Sequence, residues 1–364
     1  MSGGGTAGHI YPALATADRL RTLGHDVEFF GTPNGLEATL VPQAGVAFTA
    51  LPAAGFNRAR PWTLVTSGVE TLVSAARAWV RFGKHRPDVV VGFGGYVSVP
   101  VGLAAAARGI PLVIHEQNSV PGLTNRILAP RAHTACVTYP ETVAPLKKIA
   151  PRAEVRYTGN PVRESVLSAS RERGRATLGV GPDQVLILVF GGSRGARHLN
   201  RAMLAAAPRL LEGGTVRVIH ATGAGEYDAV ASAVAASGVG PDRYRVEAYI
   251  DDMGDVMAAA DLVVCRAGAT TIAELTALGK PAVLVPYPYA TDDHQTTNAT
   301  AMVREGAALM FADSSLEDPS FSRALVDLAG ERGARDTMAQ ASARLGRLDA
   351  ADALAGAVVE AART

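Results

Sequence analysis

Apolar residues fall in short β-branched clusters along this chain, and each cluster precedes a stretch where they recur at three- and four-residue intervals. The clusters predict strands at Asp26–Phe30, Asp88–Val91, Leu112–His115 and Thr134–Thr138 in the first half. In the second half they predict strands at Gln184–Phe190, Val216–Thr222, Tyr244–Ala248, Asp261–Cys265 and Ala282–Pro286. Helical spacing covers Pro12–Leu23, Thr271–Leu278, Asp292–Glu305 and an Ala- and Arg-rich tail over Ala334–Arg363. Such alternation predicts an α/β fold with mostly parallel sheets covered on both faces. The division between halves is expected near Pro151–Arg163, where two prolines interrupt the pattern.

One stretch imitates a membrane span. Residues 89–107 carry no charge, but Gly92, Gly94, Gly95, Pro100 and Gly102 interrupt them. The run is expected to be a buried strand, a glycine turn and an Ala-rich helix, and the protein is expected to be soluble. A length of 364 residues suits two domains, and 48% hydrophobic content supplies their cores. Thirty-five Lys and Arg against 34 Asp and Glu argue against a general nucleic-acid binder. Cys136 and Cys265 lie too far apart for a disulfide framework or a cysteine-based zinc site, which suits a reducing compartment. MSGGGTAGHIYP has no basic and apolar leader pattern, so no signal peptide is expected.

Three glycine loops carry the candidate chemistry. Gly3 to Gly8 fits G-x-G-x-x-G and opens a helix, with Glu28 twenty residues on as a candidate ribose acid. That combination keeps an NAD-dependent oxidoreductase in play. Only Met1 and Ser2 precede the loop, so the strand that should feed it is expected to be missing, leaving its two neighbours unpaired. His9 stands at the helix start, where the dipole favours its neutral form; a general base and a plain donor to a loop carbonyl are both open. Gly191 to Ala196 follows an apolar strand and lets backbone N–H groups approach an anion, with Ser193 adding a hydroxyl. It lacks the Gly-Lys-Ser/Thr ending of a Walker loop.

The third loop runs from Cys265 into Ala269, Thr270, Thr271 and Glu274. Thr271 and Glu274 have capping-box spacing, and the same carboxylate one turn into a helix can accept two ribose hydroxyls. Gln295 and Asn298, three apart on a helix start, suit sugar hydroxyls. D-x-D, H-E-x-x-H and C-x-x-C are all absent, so neither a catalytic metal nor a cofactor is expected. Ligands of parallel α/β sheets gather at the carboxyl ends of the strands, here in a cleft between the domains.

Taken together, the stretches GGGTAGHIYPALA (3–15), VGFGGYVSVP (91–100), HEQNSVPGLTNR (115–126), GNPVR (159–163), GGSRGA (191–196), YIDDM (249–253), RAGATTIAEL (266–275) and DDHQTTNA (292–299) resemble the MurG family. The resemblance spans nearly the whole chain. It implies two Rossmann-like domains of the GT-B type: 1–158 facing the acceptor and membrane, 159–340 binding a UDP-sugar, and a closing helix at 341–364 returning to the first domain. The implied activity is inverting transfer of N-acetylglucosamine from UDP-N-acetylglucosamine to the 4-hydroxyl of undecaprenyl-pyrophosphoryl-MurNAc-pentapeptide. His9 is the implied base, with Glu116 orienting it or binding acceptor. Thr6, Ala7, Gly8 and Asn118 are implied on the first-domain side of the donor, and Arg163 at the hinge. The implied donor contacts are Ser193 to diphosphate, Ile250 to uracil, Ala269 to Glu274 to nucleotide, and Gln295 and Asn298 to the sugar. His294 stands where some relatives carry glutamine. A non-catalytic nucleotide-sugar-binding scaffold is the third reading.

A lipid-linked acceptor implies docking on the cytoplasmic face of an anionic membrane, alongside other wall-synthesis proteins. Arg58–Arg86 holds six Lys and Arg against Glu70 alone, and Val69, Leu72, Val73, Ala76, Trp79 and Val80 share helical spacing. An ordinary core-facing helix has the same pattern, so both readings stand.

Overall fold

The computed structural model describes residues 1–53, 63–192 and 195–364, with the side chains of 63–67 left out. The chain forms two compact units, one of Met1–Arg163 with Arg347–Thr364 and one of Glu164–Gly346. The divisions fall at 163 and 346, later than the boundaries at 158 and 340 expected from sequence.

In the first unit, β1 (Glu28–Gly31) pairs with β2 (Ala47–Ala50), and β3 (Val90–Gly92), β4 (Leu112–Glu116), β5 (Thr134–Val137) and β6 (Glu154–Tyr157) follow in order. All are parallel. Residues 1–3 join the two sheets. Phe30 N donates to Met1 O and Ser2 N to Val91 O, both at 2.8 Å, while Phe93 N donates to Ser2 O at 2.8 Å. The expected gap between unpaired neighbours is therefore not there. Because β1 and β3 are four and three residues long, residues 1–3 suffice to pair them. With residues 1–3 counted first, the strand order is the Rossmann order, which reverses direction between residues 1–3 and β3.

The second unit has β7 (Val185–Phe190), β8 (Val216–Ala221), β9 (Tyr244–Glu247), β10 (Leu262–Cys265), β11 (Ala282–Leu284) and β12 (Ala308–Met310). Its sheet is parallel, in the order β12-β11-β10-β7-β8-β9, again a Rossmann order with its reversal between β7 and β10. Central strands are apolar on both faces because helices cover both, and β4 is buried along its whole length. The three strands that hydrophobic patterning misses, β2, β6 and β12, are sheet edges of only three or four residues, each partly exposed.

The charge-free run resolves into β3, a glycine turn and the helix Ser98–Ala107. Among the described residues, no helix is long and apolar enough to cross a membrane. The tail forms two helices, Arg332–Leu345 and Ala350–Ala362. The second packs Leu354, Ala355, Val358 and Ala361 against Ile10, Ala13, Ala17 and Leu20 of the helix Ala7–Thr22.

Candidate active site

At the reversal point of the first unit, two glycine loops press together. Gly5 has φ 83° and its N–H donates to Glu37 Oε2 at 3.3 Å, which pins the turn. Glu37 is fully buried and also accepts from Thr32 N and Thr32 Oγ1, at 3.0 and 2.6 Å. The second loop follows β3, where a Cβ on Gly95 would collide with the Gly4 carbonyl. His9, in the first turn of Ala7–Thr22, lies half-buried with its ring over Gly94. Its Nδ1 is 3.2 Å from Gln117 Oε1. Gln117 Nε2 in turn donates to Phe93 O at 2.9 Å and lies 3.1 Å from His115 Nδ1. Burial pushes the His115 pKa down to about 4, so this ring stays neutral.

Glu116 belongs to a different network. Oε1 accepts from Asn118 N at 3.0 Å and Oε2 from Gly122 N at 2.9 Å and Asn125 Nδ2 at 2.8 Å. Burial pushes its pKa up, and these N–H donors oppose that shift. Its carboxylate closes the 117–122 loop. Thr6 is exposed, Ala7, Gly8 and Asn118 are half-buried, and the Arg163 guanidinium sits 3.9 Å above the ring of Tyr11 in the same helix as His9.

The reversal point of the second unit joins the loop after β7 to the loop after β10. Gly195 has φ 71°, and a Cβ there would strike Thr222 O at the end of β8. Ser193 and Arg194 lie outside the described residues. After β10, Gly268 is the N-cap of the helix Ala269–Ala277, with φ −67° and ψ 143°. Thr271 therefore sits inside the first turn and cannot cap. Glu274 is buried one turn further along, and Thr270 and Thr271 are half-buried. Gln295 Oε1 accepts from Ala267 N at 3.2 Å and Tyr287 N at 2.9 Å, stapling the loops after β10 and β11. Arg266 backs the same loop, donating to Val285 O and Pro286 O and pairing with Asp313 at 2.6 Å. Ile250 is half-buried against the core below the sheet's helices.

Two family models match the chain, the glycosyltransferase family 28 N-terminal domain over residues 1–137 and its C-terminal domain over 186–354. The UDP-N-acetylglucosamine--N-acetylmuramyl-(pentapeptide) pyrophosphoryl-undecaprenol N-acetylglucosamine transferase of Halothermothrix orenii is 40% identical over 366 residues, covering 100% of this chain and 98% of that one. The chain belongs to the MurG family. The transferase of the same name from Moorella thermoacetica is 41% identical over 359 residues, 97% of this chain and 96% of that one. The crystal structure of Acinetobacter baumannii MurG matches with TM-score 0.77 and 30% identity, covering 99% and 98% of the two chains.

Several sequence expectations change against this geometry. Gln117, not Glu116, touches His9, so of the two roles expected of Glu116 the orienting one passes to Gln117, while Glu116 holds its own loop. The capping-box alternative for Thr271 and Glu274 falls, since Gly268 holds the cap. Asn298 is fully buried with Nδ2 3.5 Å from Ala267 O, behind the same loop that Gln295 staples. Glu28 opens β1, at the opposite end from the glycine loop, and accepts from Thr49 at 2.6 Å; a ribose acid would stand at the carboxyl end. That removes one of the two features on which an NAD reading of this MurG-family chain rested, leaving the glycine fingerprint without its acid. Gln117 and Glu37 carry no sequence signal, because a lone amide after a strand and a lone carboxylate at a helix start have no periodic or spacing pattern.

Proposed function

We propose that this chain is an inverting transferase that moves N-acetylglucosamine from UDP-N-acetylglucosamine to the 4-hydroxyl of lipid-linked MurNAc-pentapeptide. The observation that carries this is His9, held by its Nδ1 at the strand reversal of a unit whose sequence is that of the MurG family. His9 Nε2 removes the proton from the acceptor hydroxyl. The hydroxyl oxygen forms a bond to C1 of the sugar while the bond from C1 to the diphosphate oxygen breaks, and the electron pair leaves with UDP.

In the second unit, the loop at 191–196 and the N–H groups that open Ala269–Ala277 stabilise the departing diphosphate. Ser193 adds a hydroxyl donor, Glu274 takes the ribose hydroxyls, and Ile250 packs on the uracil. Gln295 offers its amide NH₂ to the sugar, since its oxygen is already engaged. In the first unit, Thr6, Ala7, Gly8, Asn118 and Arg163 contribute donor contacts.

The lipid-linked acceptor is reached from the cytoplasmic face of an anionic membrane through the helix Thr63–Lys84. Its inward face is Ser74, Ala78 and Phe82, whereas Val69, Leu72, Val73, Ala76, Trp79 and Val80 are all exposed. An apolar stripe turned to solvent beside Arg77 and Lys84 suits a lipid interface.

The deciding assay is transfer from radiolabelled UDP-N-acetylglucosamine to a soluble acceptor analogue, with and without excess EDTA. UDP release with transfer is expected in both, and His9→Ala should cut turnover ~10²–10⁴-fold at nearly unchanged donor affinity. Donor binding without transfer would favour a scaffold.

A further inference from the structure

We propose that Gln117 is a positioning residue that fixes the tautomer of His9, leaving Nε2 as the basic nitrogen. The inference rests on the reading of His9 as the base. It begins with the one group in the network that has no choice of role, the backbone carbonyl of Phe93, which only accepts. Gln117 is 2% exposed, and its Nε2 donates to that carbonyl at 2.9 Å. A flipped amide would set two oxygens against each other. The nitrogen is therefore on the Phe93 side and the oxygen faces His9.

An amide oxygen also only accepts, so the 3.2 Å approach of His9 Nδ1 requires a proton on Nδ1. In the neutral ring that leaves the lone pair on Nε2. His115 completes the chain from the other side. Its Nε2 donates to Gly159 O at 3.0 Å, so its Nδ1 is bare and accepts from Gln117 Nε2 at 3.1 Å. Every group from Gly159 through His115 and Gln117 to His9 then has one consistent donor direction.

Burial strengthens the assignment. His115 is fully buried, and a neutral ring there keeps its Nδ1 as an acceptor. Gly94, with φ 96°, brings backbone against the His9 ring: an added Cβ would lie 3.0 Å from Cε1. The ring is thus held from one side by backbone and from its edge by the amide. The carboxylate of Glu116, next in sequence, is kept off His9 by its loop donors.

The test is ¹⁵N spectroscopy of histidine-labelled full-length protein, with His9→Asn to assign the His9 signals. In the parent, Nδ1 should be protonated and Nε2 bare. Gln117→Met, of similar shape without an acceptor, should lose that preference and lower kcat ~10–100-fold, with KM for UDP-N-acetylglucosamine within about twofold. Gln117→Glu keeps an acceptor beside His9 and, protonated on its other oxygen, donates to Phe93 O where the amide nitrogen did; it should retain the Nδ1–H tautomer and recover turnover relative to Gln117→Met. A parent with Nδ1 bare overturns the proposal, as does Gln117→Met with tautomer and kcat both unchanged. Should Gln117→Met fail to fold, the parent tautomer and the Gln117→Glu protein decide. Should His9→Ala stay active while the parent shows Nδ1–H, the base reading fails and control of the ring by Gln117 stands.

Discussion

Arg81 donates to the carboxylate of Glu28 at 3.1 Å, across 53 residues of sequence. The pair settles two matters at once. It commits Glu28 to the flank of the first sheet, away from any nucleotide. It also subtracts Arg81 from the basic group available to a membrane, leaving Arg77 and Lys84 on the exposed side of Thr63–Lys84.

Docking is best tested without touching that pair. Arg77→Glu with Lys84→Glu should weaken co-sedimentation with anionic vesicles, each lost cation contributing about 1 kcal/mol near the surface. Leu72, 72% exposed, is the apolar counterpart, and Leu72→Asp should weaken binding without lowering stability. Binding should also fade with salt. Equal sedimentation of the parent and both variants would move the docking surface elsewhere.

Glu274→Ala should weaken UDP binding about 10- to 100-fold, the worth of a charged acceptor shared by two ribose hydroxyls. Calorimetric titration with UDP measures it. With Gly268 at the cap, helix stability should change little, so an unaltered UDP affinity leaves Glu274 with no role at the nucleotide.

Glu116→Ala should act on stability more than on chemistry. It strips acceptors from Gly122 N and Asn125 Nδ2, and an unfolding free energy lower by about 2–4 kcal/mol is expected. Urea denaturation reads this. A parent-like midpoint with turnover down a hundredfold would return Glu116 to the reaction itself.

His115 and His220 are both held neutral, with pKa values pushed down to about 4 mainly by burial. Unfolded histidines titrate near 6.5, so below that pH the unfolded chain binds more protons. Their contribution is complete above about pH 6.5 and is lost as pH falls toward 4. At pH 5 each should cost about 2 kcal/mol. Urea midpoints at pH 7.5 and 5 should differ accordingly, and the two ring signals should not titrate between them. Titration of either ring near pH 6.5 would show that it is not buried neutral.

Much of the fold was written in local pattern. Buried parallel strands such as β4 and β7 must be apolar on both faces, so runs like LVIHE and VLILVF declare themselves, and a glycine loop before a helix announces an anion-seeking turn. The eight ordered stretches also carried the family, because their number and order do not arise from propensity. Edge strands β2, β6 and β12 were illegible, since three or four residues partly in water make too short an apolar run to stand out. Only tertiary structure decided which of two adjacent residues meets His9. Glu116 and Gln117 leave the end of β4 on opposite sides, and hydrogen-bond partners 24 residues away at Phe93 and six away at Gly122 sort them. The same holds for Thr63–Lys84, where spacing defines an apolar stripe but burial of Ser74, Ala78 and Phe82 decides that the stripe faces outward. Sequence spacing reports which residues share a face; what that face meets depends on long-range packing that no local window contains.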